Sequence, residues 1–265
     1  MRERGQRTVT DVAHELGWSE SKLSRIETAH SGIRLSDLQR LLDLYDTGEL
    51  DRGRLVALAG QARQRGWWEA YGDALPSAYE TFIGFEAEAT AISTYEAQVV
   101  PGLLQTAEYA SAVTLADGVV RDRSVIEQRV AVRMARQAVL TRDTPPTLWA
   151  ILDEAVLRRP MGGEDVMRRQ LHHLADAAEH STITIQVLPF TAGAHRALSG
   201  SFVILEFAEG LEGPLVYNEG MTGGSFRSKL EEIRSYWMSF EALRTAAMDP
   251  EMSLGMIKSF AEGMP

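Results

Sequence analysis

The chain of 265 residues contains no cysteine. Disulfides, thiolate metal sites and cysteine nucleophiles are therefore excluded. The sequence also has no apolar stretch long enough to span a bilayer, and no apolar signal-peptide run near its N-terminus. These absences predict a cytoplasmic protein that does not interact with membranes.

Common catalytic and cofactor motifs are missing as well. The sequence has no G-x-S-x-G pattern, no phosphate-binding P-loop and no dinucleotide-binding glycine pattern. His172 and His173 are adjacent and diverge around a helix, and His180 is not four residues from either, so the spacing of a helical metal site is absent. The sequence therefore predicts no metal and no other cofactor, and it assigns no catalytic residue.

Acidic residues outnumber basic ones, but unevenly along the chain. The net charge is −10, yet residues 1–66 hold 11 Lys and Arg against 10 Asp and Glu, and the remainder holds 16 against 27. A near-neutral N-terminal segment can contact DNA phosphates, while the acidic remainder repels DNA and disfavours non-specific binding. Because the length also exceeds that of a usual single domain, we expect a small domain at 1–66 and a larger one at 67–265.

Capping residues and apolar spacing predict several short helices in the N-terminal segment. Thr8 is a candidate N-cap of the first helix, and Gly17 ends it. Ser19 caps the second helix, and a third follows over 36–45. A further helix is predicted over 51–64.

The first two helices have the spacing of a helix-turn-helix, in which the second helix enters the major groove of DNA. On that helix, Arg25 is suited to bidentate recognition of guanine, and Glu20 to accepting a hydrogen bond from cytosine. The same pattern also fits a plain surface helix in an α-helical hairpin. The candidate DNA-binding residues are Ser19, Glu20, Ser21, Lys22, Ser24 and Arg25.

Beyond residue 66, helical patterns come first, and strands interleaved with helices follow. This order implies an α+β domain around a small mixed sheet. Predicted strands cover 147–152, 182–188, 202–207 and 215–218. Predicted helices cover 80–99, 106–113, 125–140, 164–179, 229–246 and 250–260.

Two further patterns in this segment are interpreted as surface features. Arg129, Arg133 and Arg136 lie on one side of the predicted helix over 125–140, either as an exposed face or as a phosphate contact. The three glycines within 220–224 are interpreted as a turn.

Acidic and histidine side chains at the ends of the predicted strands form a candidate ligand site. Asp153 and Glu154 come at the C-terminal end of one strand. His195 lies in a glycine-containing loop between two others, and Glu219 ends a further strand. If these positions converge, they line a polar pocket suited to acid–base chemistry or to a cationic ligand. The alternative is that the acids cap helices or pair with nearby arginines.

Residues 8–27 read TVTDVAHELGWSESKLSRIE, and this order closely resembles the Xre-type, lambda-repressor-like helix-turn-helix. Residues 36–45 resemble the next helix of that family. The resemblance implies base contacts at Glu20, Ser21 and Arg25. It also places Lys22 and Ser24 beside these contacts and gives structural roles to Leu23, Ile26 and Glu27.

Motifs along the larger segment carry a second resemblance. They include VPGLLQT at 100–106, LDEA at 152–155 and QVLPF at 186–190. Together they resemble the C-terminal domain of actinobacterial antitoxin-like transcriptional regulators, which are similar to the antitoxins of two-gene toxin–antitoxin loci. The resemblance implies DNA-binding regulation, often with a small protein encoded by the adjacent gene. Because a palindromic operator is recognised by two copies of the DNA-binding domain, we also expect a homodimer.

One feature departs from the Xre-type pattern. In that family a full helix precedes the motif, and here residues 1–5 correspond only to its tail, so we expect a truncated all-α N-terminal domain followed by the α+β domain. The missing helix would expose Val12, Leu16 and Ile26, at about 1.5–3 kcal/mol for each. Either translation starts earlier, or the larger domain or a second subunit covers the gap, or DNA binding has been lost.

The leading hypothesis is a sequence-specific DNA-binding transcriptional regulator, antitoxin-like, whose larger domain binds a ligand or a partner protein. The alternative is a small-molecule-binding protein or an enzyme, in which the truncated domain serves packing or dimerisation. The missing first helix and the polar strand ends motivate this alternative. The expected partners are double-stranded DNA, a second copy of the chain, an adjacent-gene protein and a small-molecule ligand.

Overall fold

The structure is a computed structural model in which residues 2, 7–28, 33, 35–48, 75–116, 118, 122–208, 213–220, 223–227 and 230–263 are described. The chain divides into two compact units, Met1–Trp67 and Trp68–Pro265. The domain boundary predicted near residue 66 and the helix predicted over 51–64 lie outside the described residues.

The described part of the N-terminal unit consists of helices. They are α1 (Val9–Leu16), α2 (Glu20–Glu27) and α3 (Leu35–Leu44). All three helices predicted over this part of the sequence are confirmed. The third begins one residue before Ser36, within the usual uncertainty of a helix end.

The described part of the C-terminal unit is built around a six-stranded mixed sheet. Its order is β3-β2-β1-β4-β5-β6. β1, β2 and β3 are parallel to one another, whereas β4, β5 and β6 join by antiparallel pairing. The predicted α+β class with a mixed sheet is thus confirmed. The strands are β1 (Ala91–Glu96), β2 (Thr147–Asp153), β3 (Ile183–Leu188), β4 (Phe202–Glu206), β5 (Leu215–Gly220) and β6 (Gly223–Arg227).

Helices cover both faces of this sheet. The described α-helices of this unit are α4 (Ser77–Glu88), α5 (Ala107–Ala116), α6 (Arg123–Arg136), α7 (Glu154–Arg158), α8 (Glu164–Ala177), α9 (Leu230–Ala246) and α10 (Pro250–Glu262). Ile257 and Ala261 of α10 pack on the face that carries Ile185, and we call it the α10 face. Phe240 of α9 packs on the face that carries Ile151, and we call it the α9 face. Among the residues described, none of these helices has both the length and the apolar character of a bilayer-spanning segment.

The prediction of a single helix over 80–99 is wrong. α4 ends at Glu88, and the following residues form β1, the strand between β2 and β4. Ile92, Thr94 and Tyr95 are β-branched or aromatic, and such side chains favour strands. Because β1 pairs with a strand on each side, sheet hydrogen bonding outweighs the helical spacing of its apolar residues.

The interpretation of the glycines within 220–224 as a turn is also incomplete. Gly223 opens β6, which pairs antiparallel with β5 through Gly224 opposite Glu219 and Phe226 opposite Tyr217. A short glycine-rich strand carries too little apolar alternation to be recognised from sequence.

Candidate nucleic-acid interface and ligand site

The turn between α1 and α2 is defined by hydrogen bonds that its residue types supply. Thr8 Oγ1 accepts from the Asp11 amide at 3.1 Å, and Asp11 Oδ2 accepts from the Thr8 amide at 3.2 Å. Gly17 ends α1 with a φ of 68°, a left-handed conformation that favours glycine. Ser19 Oγ accepts from the Lys22 amide at 3.2 Å and begins α2. The predicted caps are confirmed, and they set the direction in which α2 leaves the turn.

The apolar side of this motif is buried. Val12 is 0 % exposed, Leu16 is 5 % exposed and Leu23 is 0 % exposed, while Ile26 is half-buried. The predicted exposure of Val12 and Leu16 is therefore wrong, and Leu41 and Leu44 of α3 are among the side chains that pack against this cluster. The residues that pack against this small core are Val9, Trp18, Leu41, Leu44 and Tyr45.

Most of the candidate DNA-binding residues lie on the outer side of α2. Glu20, Ser21, Ser24 and Arg25 are exposed, as is the capping residue Ser19. A guanidinium matches the major-groove edge of guanine, and a carboxylate can accept from the amino group of cytosine. A capped helix with a buried underside and an exposed polar side has the arrangement that recognition helices use.

Lys22 differs from the other candidates because its side chain contacts other residues of the N-terminal unit. Its Nζ lies 2.9 Å from Asp37 Oδ2 of α3 and 4.0 Å from the centroid of the Trp18 ring. Arg40 lies on the same ring, with its guanidinium carbon 5.8 Å from the centroid, and it donates a hydrogen bond to the Leu16 carbonyl. These contacts tie α2 to α3 through the side chain of Lys22 and the turn.

Glu27, the last residue of α2, also has a structural contact. Its carboxylate accepts hydrogen bonds from Arg2 Nε at 2.7 and 3.0 Å. This contact fits the structural role that the Xre-type resemblance implies for Glu27. It joins the C-terminal end of α2 to the residues before α1.

The second candidate site lies where β1, β2 and β3 end, and we call this side of the sheet the carboxyl edge. Asp153 ends β2 there. Its Oδ1 accepts from the Ala155 amide at 2.9 Å, which caps α7, and its Oδ2 accepts from the Tyr95 hydroxyl at 3.4 Å. Burial, together with the charge of Asp153, raises the pKa of Tyr95. Asp153 therefore serves as a helix cap and as an anchor for a buried tyrosine.

Glu154 is fixed by two neighbours. Its Oε2 accepts from the Phe190 amide at 2.7 Å, and its Oε1 accepts from Arg158 Nε at 2.6 Å. Burial opposes ionisation of this carboxyl, but the Phe190 amide and Arg158 outweigh it and lower the pKa of Glu154. These contacts match the alternative interpretation, in which the acids cap helices or pair with arginines.

The other two predicted ligand residues lie on different faces of the sheet. His195 packs edge-on against Tyr95, with ring centroids 5.6 Å apart, and its Nδ1 accepts from the Ala197 amide at 3.3 Å. Tyr95 belongs to the core of the α9 face. Glu219 lies two residues after Tyr217 on β5 and therefore shares its face, and Tyr217 belongs to the core of the α10 face. The structure thus groups Asp153 with His195 around Tyr95, places Glu219 on the opposite face, and does not gather the four residues into one pocket.

Glu96 is a polar residue of the carboxyl edge that the sequence did not single out. It ends β1 on the α10 face, it is half-buried, and Thr94 Oγ1 donates to its Oε1 at 3.4 Å. Burial first, and then the charge of Glu219, raise the pKa of Glu96 from 4.5 to about 7, although Ser201 and other neighbours oppose the shift. Interpreting 91–96 as a strand would have placed Glu96 beside the other strand-end acids.

The arginines of α6 are not the exposed stripe that the sequence suggests. Arg136 is buried, and its guanidinium donates to both carboxylate oxygens of Glu86 at 2.8 and 2.7 Å and to the Tyr79 hydroxyl. Burial disfavours its charge, but Glu86 outweighs this and raises the pKa of Arg136. Arg133 is half-buried and donates to Gln105 Oε1 at 2.8 Å. For Arg136 the prediction of an exposed face is wrong, because α4 supplies a buried carboxylate.

Within the described ranges, no group of three or more His, Asp or Glu side chains is arranged to hold a metal ion.

Two parts of the chain match known protein families. Residues 1–55 match the family described as a helix-turn-helix domain, and the protein is a DNA-binding regulator in the general sense of that class. Residues 79–259 match the family described as domain of unknown function (DUF5753), and the chain belongs to that family. No curated protein and no solved structure matches the chain.

Proposed function

We propose that this protein is a sequence-specific, Xre-type transcriptional regulator that reads DNA with α2 and acts as a cytoplasmic homodimer. The observation that carries the proposal is the exposed polar side of α2, with Glu20, Ser21 and Arg25 presented above a buried core. Phosphate contacts position such a domain, and contacts to base edges give it specificity. Two copies are required to read the two halves of a palindromic operator.

The larger unit is proposed as the part that receives a signal. Its acidic charge disfavours contact with DNA, whereas its carboxyl edge gathers polar groups inside the fold. A ligand bound there, or a small protein from an adjacent gene in the manner of antitoxin-like regulators, would control the helix-turn-helix. In this proposal the unit binds and does not catalyse.

The test is a fluorescence-anisotropy titration with labelled duplex DNA from upstream of the protein's own gene. Replacing Arg25 with alanine should weaken specific binding by roughly 5- to 150-fold, because one bidentate base contact is worth about 1–3 kcal/mol. It should also relax the preference at one base pair.

Arg123→Ala is the matched control, because Arg123 is an exposed arginine on α6 whose side chain pairs with Glu127. It should leave the affinity unchanged. Equal binding to unrelated DNA, or equal effects of the two variants, would contradict the proposal. The dimer is checked separately by light scattering, for which a monomeric mass at the concentrations used for binding is the opposing result.

A further inference from the structure

The two outer strands of the six-stranded sheet differ in how their backbone groups are used. β3 forms one edge, where the Val187 amide donates to Ser253 Oγ at 2.9 Å and the Val187 carbonyl accepts from the Met248 amide at 2.9 Å. β6 forms the other edge and pairs with β5. Within the described residues, the backbone of β6 has no hydrogen bond beyond this pairing. Because every second residue of an edge strand directs its N–H and C=O groups away from the sheet, β6 offers a template for a further strand.

The residue order of β6 suits pairing with a second copy of the same strand. β6 reads GGSFR, so Ser225 is its middle residue. An antiparallel pair centred on this position sets the Ser225 residues of the two copies opposite each other. It also sets Gly224 opposite Phe226 of the second copy. At the ends of the strand, Gly223 lies opposite Arg227 of the second copy. Each large side chain thus lies beside a glycine, which leaves room for it because it has no Cβ. The strand is self-complementary in size, as a two-fold interface requires.

Aromatic side chains line the α10 face of this edge. Tyr217 of β5 lies opposite Phe226, and the centroids of their rings are 5.1 Å apart. The Tyr217 ring extends over Gly224, since a Cβ at Gly224 would lie 2.2 Å from the Tyr217 hydroxyl oxygen. Phe226 is half-buried, and its ring packs edge-on against Phe85 with centroids 5.5 Å apart. In the self-paired strand, Phe226 of the second copy lies beside Gly224 and next to Tyr217, so the pairing buries more of both phenylalanines.

The charges at the two ends of β6 are also complementary. Exposed Glu219 lies opposite Gly224, near the start of β6, and exposed Arg227 ends the strand. Antiparallel pairing places Arg227 of the second copy beside Gly223, two strand spacings or about 10 Å from β5. Glu219 and Arg227 of different copies therefore lie at the same end of the paired strands. This separation is close to the Debye length of about 10 Å at 0.1 M salt, so their attraction is only partly screened.

We propose that two copies of the chain dimerise by antiparallel pairing of their β6 strands, centred on Ser225, which joins the two six-stranded sheets into one. This inference rests on the proposed homodimer and names the surface through which it forms. It does not depend on which DNA sequence α2 recognises. A dimer held together by the larger units carries two helix-turn-helix motifs, as the reading of a palindromic operator requires.

Single cysteines test the pairing directly, because the chain contains no cysteine of its own. Ser225→Cys should form a disulfide-linked dimer under mild oxidation, measured by non-reducing gel electrophoresis. Residues directly opposite each other in an antiparallel pair have Cβ atoms about 4.5–5.5 Å apart, close to the separation in a disulfide. Arg227→Cys tests the register and should not link, since its two copies lie about 13 Å apart along the paired strands. Ser259→Cys is the control for random collision, because Ser259 is an exposed serine on α10.

A charge at the centre of the pair tests the interface without a cross-link. Ser225→Lys places two ammonium groups opposite each other and should raise the dissociation constant of the dimer about fivefold or more, since like charges directly opposite in a strand pair repel. Sedimentation equilibrium of the full chain at concentrations up to about 100 μM measures this constant. Ser225→Thr retains a small β-branched side chain and should leave the constant unchanged. Urea unfolding of both variants checks that the larger unit remains folded.

The β6 interface is overturned if Ser225→Cys links no more than Ser259→Cys, if Arg227→Cys links equally well, or if Ser225→Lys leaves the dissociation constant unchanged. When the unsubstituted chain is a dimer, any of these results overturns this interface alone and leaves the proposed homodimer standing. A monomeric mass for the unsubstituted chain throughout the concentration range overturns both.

Discussion

The recognition helix and the carboxyl edge of the sheet place their polar groups in opposite environments. On α2, Glu20 and Arg25 are exposed above a small core, and water surrounds them. At the carboxyl edge, Glu96 is half-buried and Tyr217 is 3 % exposed. The exposed groups of α2 are open to contact by another molecule, whereas burial at the carboxyl edge raises the pKa of Glu96.

The two regions also differ in the size of the core that supports them. The described core of the N-terminal unit contains a handful of buried side chains between short helices. The sheet of the C-terminal unit is covered on both faces, and the unit also contains a buried ion pair between Arg136 of α6 and Glu86 of α4. Small cores depend strongly on each residue and on their helix caps, whereas a large core is most sensitive at its buried charges.

The largest expected effect tests the buried ion pair of the C-terminal unit. Arg136→Met should lower the free energy of unfolding by about 3–5 kcal/mol, because it leaves the Glu86 carboxylate buried without a partner. Urea unfolding measures the change. Combining the variant with Glu86→Leu should restore much of the loss. Arg169→Met is the control, since Arg169 is half exposed and its Nε lies 3.9 Å from Glu108 Oε1. If this variant changes the free energy of unfolding by more than about 0.5 kcal/mol, the difference between buried and exposed ion pairs is not supported.

A core truncation tests whether the two regions are stabilised separately. Leu23 is 0 % exposed, and Leu23→Ala should destabilise the N-terminal unit by about 3 kcal/mol through lost burial and a cavity. Hydrogen exchange should show faster exchange of the amides of α1 and α2, with those of β1 to β3 unchanged. If the sheet amides lose protection to the same extent, the two units unfold as one and the comparison fails.

The pH dependence of stability tests the environment of Glu96. Its pKa is raised from 4.5 to about 7 in the folded protein, so between these values the folded state binds more protons than the unfolded chain. The free energy of unfolding should therefore fall as pH rises through this window and become flat above it. Glu96→Gln should remove this slope and add about 1–2 kcal/mol at pH 8, after allowance for solvent screening. An unchanged slope in denaturant titrations at several pH values would argue against the raised pKa.

The smallest expected effect concerns the first cap of the helix-turn-helix. Thr8→Ala removes the hydroxyl that accepts from the Asp11 amide and should lower the stability of the N-terminal unit by about 1 kcal/mol. Thr8→Ser retains the hydroxyl and should restore the cap. Thermal unfolding of both variants checks the point. If alanine and serine behave alike, the caps do not control the turn that orients α2.

Local patterns predicted the helix-turn-helix well because its signals are short-range. Thr8, Gly17 and Ser19 act on neighbouring backbone groups, so their roles follow from their order in the chain. The burial of Val12 and Leu16 could not be predicted from neighbouring residues in this way. Leu41 and Leu44 of α3, farther along the sequence, pack against the cluster that contains them.

In the larger unit, local patterns failed to predict a strand that forms by pairing with strands distant in the sequence. The segment containing Tyr95 and Glu96 has apolar spacing compatible with a helix, yet β2 and β4 pair with it on either side. The prediction that the strand-end residues converge in one ligand site failed for a related reason. Asp153 and Glu219 both come at strand ends, but alternation along the strands sends them to opposite faces.

The sequence by itself determined the capped helix-turn-helix, the polar side of α2, the absence of cysteine chemistry and the α+β class of the larger unit. These follow from hydrogen bonds between near neighbours, from composition and from the order of elements. Only the tertiary structure decided that Arg136 is buried with Glu86, that Glu96 is half-buried with a raised pKa, and that the Tyr217 hydroxyl is left without a described partner. Burial and charge proximity arise from strands and helices that are distant in the chain, so no local pattern specifies them.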